Sequence, residues 1–107
     1  MDITRDYKET IDRRVRTDSE FAGALLDEAL SLFLNGESDV ARLVLRDLVN
    51  ATVGFEDLAS EIEKPSKSLH RMLSAKGNPT MNNLTNIFTV LRQKLNVNIE
   101  VHAVPIH

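Results

Sequence analysis

The sequence predicts an all-α fold with one short β-strand near its C-terminal end. Apolar residues recur at intervals of three and four along most of the 107 residues, which is the spacing of a helix face. Only residues 97–104 alternate apolar and polar side chains, as a half-buried strand does. The length suits one domain with one modest core. We therefore expect a single compact domain of five to six helices over residues 1–107.

The N-terminal segment is predicted to form a charged helix over residues 1–16. Its apolar residues Ile3, Tyr7, Ile11 and Val15 are four apart, and this spacing makes one narrow stripe on a helix. The opposite face is highly charged. The stripe is therefore expected either to pack lightly on the body of the domain or to dock on a partner.

Two longer helices are expected next. The first begins with a capping box formed by Thr17 and Glu20, carries a broad apolar face and ends at Gly36, where a left-handed residue is needed. The second is expected to have Ser38 as its N-cap. In that helix Arg42 is expected to face solvent, and the core stripe is expected to comprise Val40, Leu43, Val44, Leu48 and Ala51.

Two short helices joined by a tight turn follow, over residues 55–62 and 65–73. Such a pair is typical of a helix-turn-helix. Pro65 suits a first helical turn, because its missing N–H would have no partner there. A longer helix capped by Thr80 then completes a helix-turn-helix core over residues 55–95.

Charge is distributed unevenly along the chain, whose net charge is −3. Residues 1–63 contain 7 basic and 15 acidic side chains, whereas residues 64–99 contain 6 basic and no acidic ones. A polyanion responds to the field within about a Debye length, ~8–10 Å, rather than to the net charge. The basic part is therefore compatible with DNA, and it is equally compatible with an ordinary solvated face.

The segment "KPSKSLHRMLSAKGNPT" contains the candidate DNA-contacting residues. A recognition helix presents its N-terminal residues to base edges in the major groove, and Lys and Arg favour guanine. Residues in the following loop and at the next helix N-terminus are placed to hold phosphates. The alternative is an exposed amphipathic helix with solubilising side chains. The candidates are Lys64, Ser66, Lys67, Ser68, His70, Arg71, Lys76, Asn78 and Thr80.

The predicted strand over residues 97–104 has no second strand in the sequence to pair with. Because a strand needs a partner for its backbone hydrogen bonds, we expect it to pair with the same strand of a second copy in a two-fold dimer. The alternative is an extended tail lying on the helices. The candidate dimer residues are Val97, Ile99 and Val101.

Several classes of function are disfavoured. The chain has no Cys, which excludes thiol nucleophiles, disulfides and Cys-based metal sites. It shows no catalytic constellation and no Gly-rich phosphate loop, and His102 and His107 lack the partners of a metal site. The charged N-terminus argues against a signal peptide, and no apolar run approaches the ~20 residues of a membrane span. We expect no enzymatic activity, cofactor, metal or membrane association, and a cytoplasmic location.

The stretch "LASEIEKPSKSLHRMLSAKGNPTMNNLTNIFTVLRQKL", Leu58–Leu95, resembles the HigA-like antidote (antitoxin) proteins of bacterial addiction modules. The resemblance is most specific at "LHRMLSAKGNPT", where that family typically has a Leu-aromatic-Arg-x-Leu-Ser run followed by Gly-Asn-Pro. It implies a lambda-repressor-like, Cro/repressor-type helix-turn-helix domain. It also implies a homodimer that binds double-stranded DNA of its own promoter or operator, represses its operon and binds a small toxin protein.

Some residues depart from the family pattern. Glu63 stands where the family usually has Gly, so we expect the turn to adopt another conformation. His70 stands where Tyr is common. Glu56 and Asp57 suit the N-terminal end of a helix dipole but would repel DNA phosphates.

Three functions therefore stay open. The first is a DNA-binding transcriptional regulator of the antitoxin type that represses its own promoter. The second is a protein-interaction module that neutralises a small basic partner and binds little DNA. The third is a stand-alone helix-turn-helix transcription factor. An adjacent reading frame for a small basic protein would distinguish the first from the third.

Overall fold

The structure is a computed structural model, and it describes residues 19–106 of the chain. Five helices follow one another: α1 (Ser19–Leu34), α2 (Ser38–Ala51), α3 (Phe55–Glu61), α4 (Ser66–Met72) and α5 (Met81–Leu95). The predicted all-α class is confirmed for this part of the chain. The helix predicted over residues 1–16 and the capping residue Thr17 lie outside the described residues.

One apolar core joins the helices. Packing is most extensive between α1 and α2, while α5 packs on α1 and α3, and α3 packs on α4. The largest fully buried side chains are contributed by all five helices and by the first residue after α4: Leu26, Leu45, Leu48, Val49, Leu58, Leu69, Leu73, Ile87 and Leu91. The short helices α3 and α4 are therefore anchored to the same core as the long ones.

The buried face of α2 differs from the predicted one. Val40 and Leu43 are 48% and 43% exposed, whereas Ala41, Leu45 and Arg42 are buried. The expectation that Arg42 faces solvent is therefore wrong. Apolar residues occupy most positions of α2. Helical spacing alone therefore allows two different buried faces, which are related by a rotation of about one residue around the helix axis.

The turn between α3 and α4 is a Schellman motif. The Lys64 N–H donates to the carbonyl of Ala59 over 3.0 Å, and the Glu63 N–H donates to that of Ser60 over 3.2 Å. Glu63 has φ 56°, the left-handed conformation that this motif requires and that Gly adopts most readily. The expectation of a different turn conformation is therefore wrong, because Glu63 itself takes the conformation expected of Gly.

Pro65 marks the boundary of α4. It has φ −62° and an extended ψ of 141°, and its carbonyl accepts a hydrogen bond from the Leu69 N–H over 3.1 Å. Pro65 thus lies just before the first helical residue, and no backbone donor is lost at the start of α4.

The predicted C-terminal strand is absent. Residues 97–106 have no regular secondary structure, and residues 19–106 contain no other strand that would share its hydrogen bonds. Instead Val97 and Ile99 pack against the core, and Arg92 Nη1 donates to Asn98 Oδ1 over 3.0 Å. Residues 97–106 therefore form a C-terminal tail whose first residues pack on the helices.

Candidate nucleic-acid interface

Helix α4 is held by its apolar side and presents its polar side. Leu69, and Leu73 directly after the helix, are fully buried, while Lys67 and Arg71 are exposed. The spacing of Lys67 and Arg71 places them on neighbouring turns of one helix face. As a result, α4 offers two cations to solvent from a rigidly anchored helix.

A concave surface of about 430 Å³ lies beside α4. No acidic side chain of residues 19–106 lines it. Three cationic and two neutral polar side chains line it. We call this surface the basic cleft, and its lining residues are Lys64, Ser68, Arg71, Met72, Lys76, Gly77 and Asn78. Because these cations surround a hollow, their fields add at a position accessible to an anion.

Arg42 fixes the loop that forms one wall of the basic cleft. Its side chain is 6% exposed; Nε donates to the Ser74 carbonyl and Nη2 to the Ala75 carbonyl, both over 2.9 Å. Nη2 also lies 2.8 Å from Asp39 Oδ1, one helical turn earlier. The loop after α4 is thereby tied to α2, and with it the backbone that leads to Lys76.

Gly77 allows this loop to lie close against the end of α4. Its N–H donates to the Ser74 carbonyl over 3.0 Å. A Cβ at this position would collide with the carbonyl oxygen of Met72 and would lie 2.6 Å from that of Arg71. Gly is therefore required here for close approach of two backbones, and a larger residue would push the loop outward.

His70 has a packing role that the sequence did not indicate. Its ring stacks on Phe55, with ring centroids 4.0 Å apart and an interplanar angle of 9°. His70 remains exposed on its other side, whereas Phe55 is buried. The contact joins the last turn of α4 to the first residue of α3.

The remaining candidates occupy several positions around α4. Thr80 caps α5 as predicted, since its Oγ1 accepts from the Asn83 N–H over 3.1 Å. Ser66 is half-buried at the first position of α4, and Lys67 is exposed but does not line the basic cleft. The basic cleft thus brings together five of the nine predicted residues: Lys64, Ser68, Arg71, Lys76 and Asn78.

The acidic residues of α3 are also accessible. Glu56 and Asp57 are exposed in its first turn. Neither lines the basic cleft. Their carboxylates therefore lie on the surface of the α3–α4 pair but outside the cationic hollow.

Among the candidate dimer residues, the structure separates Val101 from the other two. Val97 and Ile99 are half-buried against the core, whereas Val101 is 63% exposed. Within residues 19–106 no three His, Asp or Glu side chains are grouped as a metal site would require. None of the five described helices is long and apolar enough to cross a bilayer.

Comparison of the chain with protein-family models, with curated proteins and with solved structures finds no match.

Proposed function

We propose that the protein is a DNA-binding transcriptional regulator in which α3, the turn and α4 act as a helix-turn-helix of the lambda-repressor-like type. The observation that carries this proposal is the basic cleft, with Lys64, Arg71 and Lys76 around one hollow that no acid of the described residues lines. Cations placed against phosphates release counterions from the duplex, and this supplies much of the affinity for DNA.

The residues divide into two roles in this proposal. Lys67 and Arg71 on the exposed face of α4 read base edges in the major groove, where bidentate contacts to guanine are the commonest specific ones. Lys64, Lys76 and Asn78 contact phosphates and set the register of the protein on the duplex. The buried side of α4 and the Arg42 contacts keep these two groups in a constant relation to each other.

The antitoxin type of regulator is supported by the resemblance of "LHRMLSAKGNPT" to the antidote family. In this role the protein acts in the cytoplasm as a homodimer, represses its own promoter and neutralises a small basic toxin protein. Co-expression with the protein encoded next to it tests this part. Rescue of growth supports the antitoxin role, and the absence of such a neighbour supports a stand-alone transcription factor.

DNA binding is tested by fluorescence anisotropy with a labelled duplex from the protein's own promoter. The double variant Lys67→Ala/Arg71→Ala should lose specific binding, because both proposed base contacts are removed. Lys94→Ala is the matched control, since Lys94 is an exposed cation on the last turn of α5 and does not line the basic cleft. Unchanged affinity of the double variant would refute the role assigned to α4.

The exposed carboxylates of Glu56 and Asp57 favour a second candidate function. They lie on α3, where a DNA-binding protein would approach phosphates, and they suit a basic protein partner instead. In this alternative the α3–α4 pair is a protein-interaction module. The wild-type protein would then show no binding to its promoter duplex even at low salt, which separates the two candidates.

A further inference from the structure

An apolar groove lies between α1 and α5. It has a volume of about 560 Å³, and its apolar walls include Leu30, Phe33 and Leu34 of α1 with Met81, Leu84 and Phe88 of α5. Phe33 and Phe88 meet edge to face, with centroids 6.1 Å apart. Leu34 and Met81 at the rim are 59% and 71% exposed. The groove is therefore a preformed site for apolar side chains.

The C-terminal tail carries the complementary apolar side chains. Ile99 lies at the end of the groove, and the residues after it line a second cavity of about 390 Å³ on an adjacent face of α1. Val101 at this second cavity is 63% exposed, and Val104 and Ile106 after it are 78% and 99% exposed. Within the described part of the chain, residues 98–106 take part in no backbone–backbone hydrogen bond.

Exposed apolar residues concentrate at this surface. Seven large apolar side chains of the described residues are prominently exposed, and five of them belong to the groove rim or to the tail. The other two, Val40 and Leu43, lie on α2. Residues 81–91 of α5 carry no charge. Arg92 directly after this stretch is the one charged residue of the described chain that lines the groove, and the groove therefore suits an apolar protein contact better than a highly charged partner.

We propose that a second copy of the chain covers this surface, with the tail of each copy entering the groove of the other. A two-fold interface uses the same patch twice, so that patch must contain both the inserted side chains and the site that receives them. The groove and the tail meet that requirement within one patch. The proposal names the contact surface of the dimer and so rests on the dimeric part of the proposed function.

The size of the surface agrees with this occupant. Ten residues line one cavity and eleven the other, with three in common, so eighteen residues line the two together. Stable interfaces use about 20–30 residues on each side. The exposed end of the tail, residues 104–106, brings the patch into that range. The interface therefore consists of the groove, the whole tail and the C-terminal half of α1.

The oligomeric state of the full chain in the absence of DNA tests the proposal. In sedimentation equilibrium the wild type should be a dimer at low micromolar concentration. Met81→Glu places a charge in a contact that the proposal makes apolar, and should raise the dimer dissociation constant ~30-fold or more, the loss seen on changing a residue that carries much of the binding energy. Val40→Glu is the matched control. It adds the same charge at an exposed apolar residue on α2 and should leave the dimer unchanged.

Exchange of the tails is tested by cross-linking, which the absence of native Cys makes specific. A chain carrying Met81→Cys, mixed with one carrying Val104→Cys, should form a disulfide-linked heterodimer on mild oxidation, while a Val40→Cys chain should not link to either. Circular dichroism checks that every variant is folded. These positions are exposed, so the fold should be retained.

Three results would overturn the proposal: a monomeric wild type, a Met81→Glu variant that dimerises normally, or cross-linking no greater than that of the Val40→Cys control. The groove would then have another occupant. Because these measurements contain no DNA, their results do not depend on whether the protein binds DNA. A dimer that does not bind its promoter would refute only DNA binding. A monomer that binds its promoter would refute this interface and the dimeric part of the proposed function, and would leave DNA binding standing.

Discussion

Arg42 Nε donates a hydrogen bond to the carbonyl oxygen of Ser74 over 2.9 Å and thereby joins two residues 32 positions apart. The guanidinium also binds the Ala75 carbonyl. It therefore holds the backbone directly after α4 against α2. The proposed DNA-binding surface consists of α4 and the loop after it. This contact fixes both parts relative to α1 and α2, the two helices with the most extensive packing.

Arg42→Ala should lower the free energy of unfolding by about 2 kcal/mol, because partly buried carbonyls lose a charged donor and the buried aliphatic stem leaves a cavity. Urea denaturation followed by far-UV circular dichroism measures this. Asp39→Ala is the control. Its carboxylate is 88% exposed, and removing it leaves both carbonyl contacts of Arg42 in place, so its loss should be smaller than that of Arg42→Ala. Equal losses in the two variants would contradict the role given to the Ser74 and Ala75 contacts.

Glu63→Gly should stabilise the protein by about 1 kcal/mol, because a side chain in the left-handed conformation costs ~1–2 kcal/mol and Gly avoids most of that cost. Glu63→Ala removes the same charge but keeps a Cβ, so it should change stability little. Thermal unfolding of both variants tests this. If Glu63→Ala stabilises the protein as much as Glu63→Gly does, the gain in stability comes from removal of the charge and not from the backbone conformation.

Gly77→Ala should destabilise the protein by about 2 kcal/mol, the scale of forced overpacking, because its Cβ meets the backbone at the end of α4. Gly23→Ala is the opposite case. A Cβ there has no neighbour within 4 Å, and Ala in place of Gly inside a helix gains about 0.5–1 kcal/mol. Denaturation midpoints should therefore move in opposite directions for the same chemical change.

Lys76→Ala should reduce the salt dependence of DNA binding. Each phosphate contact contributes about 0.9 to the slope of log K against log salt concentration, so the slope should become shallower by about one unit. Anisotropy titrations between low and physiological salt measure it. Lys94→Ala should keep the wild-type slope. An unchanged slope for Lys76→Ala would remove Lys76 from the set of phosphate contacts.

The five described helices followed from local features of the sequence, but not all of their ends did. Ser38, expected as a cap, is the first residue of α2, and Glu37 before it makes no side-chain cap hydrogen bond. Thr80 is the clearest case of a predictable end, because a side-chain cap involves residues three apart and is visible in the sequence. Which face of α2 is buried could not be predicted from the sequence. Arg42 is buried because it binds carbonyl groups more than 30 positions later in the chain. Likewise the spacing of residues 97–104 suggested a strand, but whether a strand forms depends on a partner that the described chain does not contain.

The candidate site shows the same division. The cations of the basic cleft were predictable, because they lie within one acid-free segment. The expectation at Glu63 is wrong, because Gly is only preferred in this turn, and backbone hydrogen bonds can hold another residue in the same conformation. The stacking of His70 on Phe55 had no signal in the sequence, since two aromatic side chains fifteen positions apart meet only through the angle between α3 and α4.

That stacked pair gives the protein an internal spectroscopic probe. Protons held over the face of an aromatic ring experience its ring current and resonate upfield in NMR spectra. Of His70 and His102, the two histidines in the described residues, only His70 stacks on an aromatic ring. Its imidazole signals should therefore be displaced from those of a free histidine. If DNA or a protein partner changes the angle between α3 and α4, that displacement will change with it, and a one-dimensional proton spectrum will report the motion without any label.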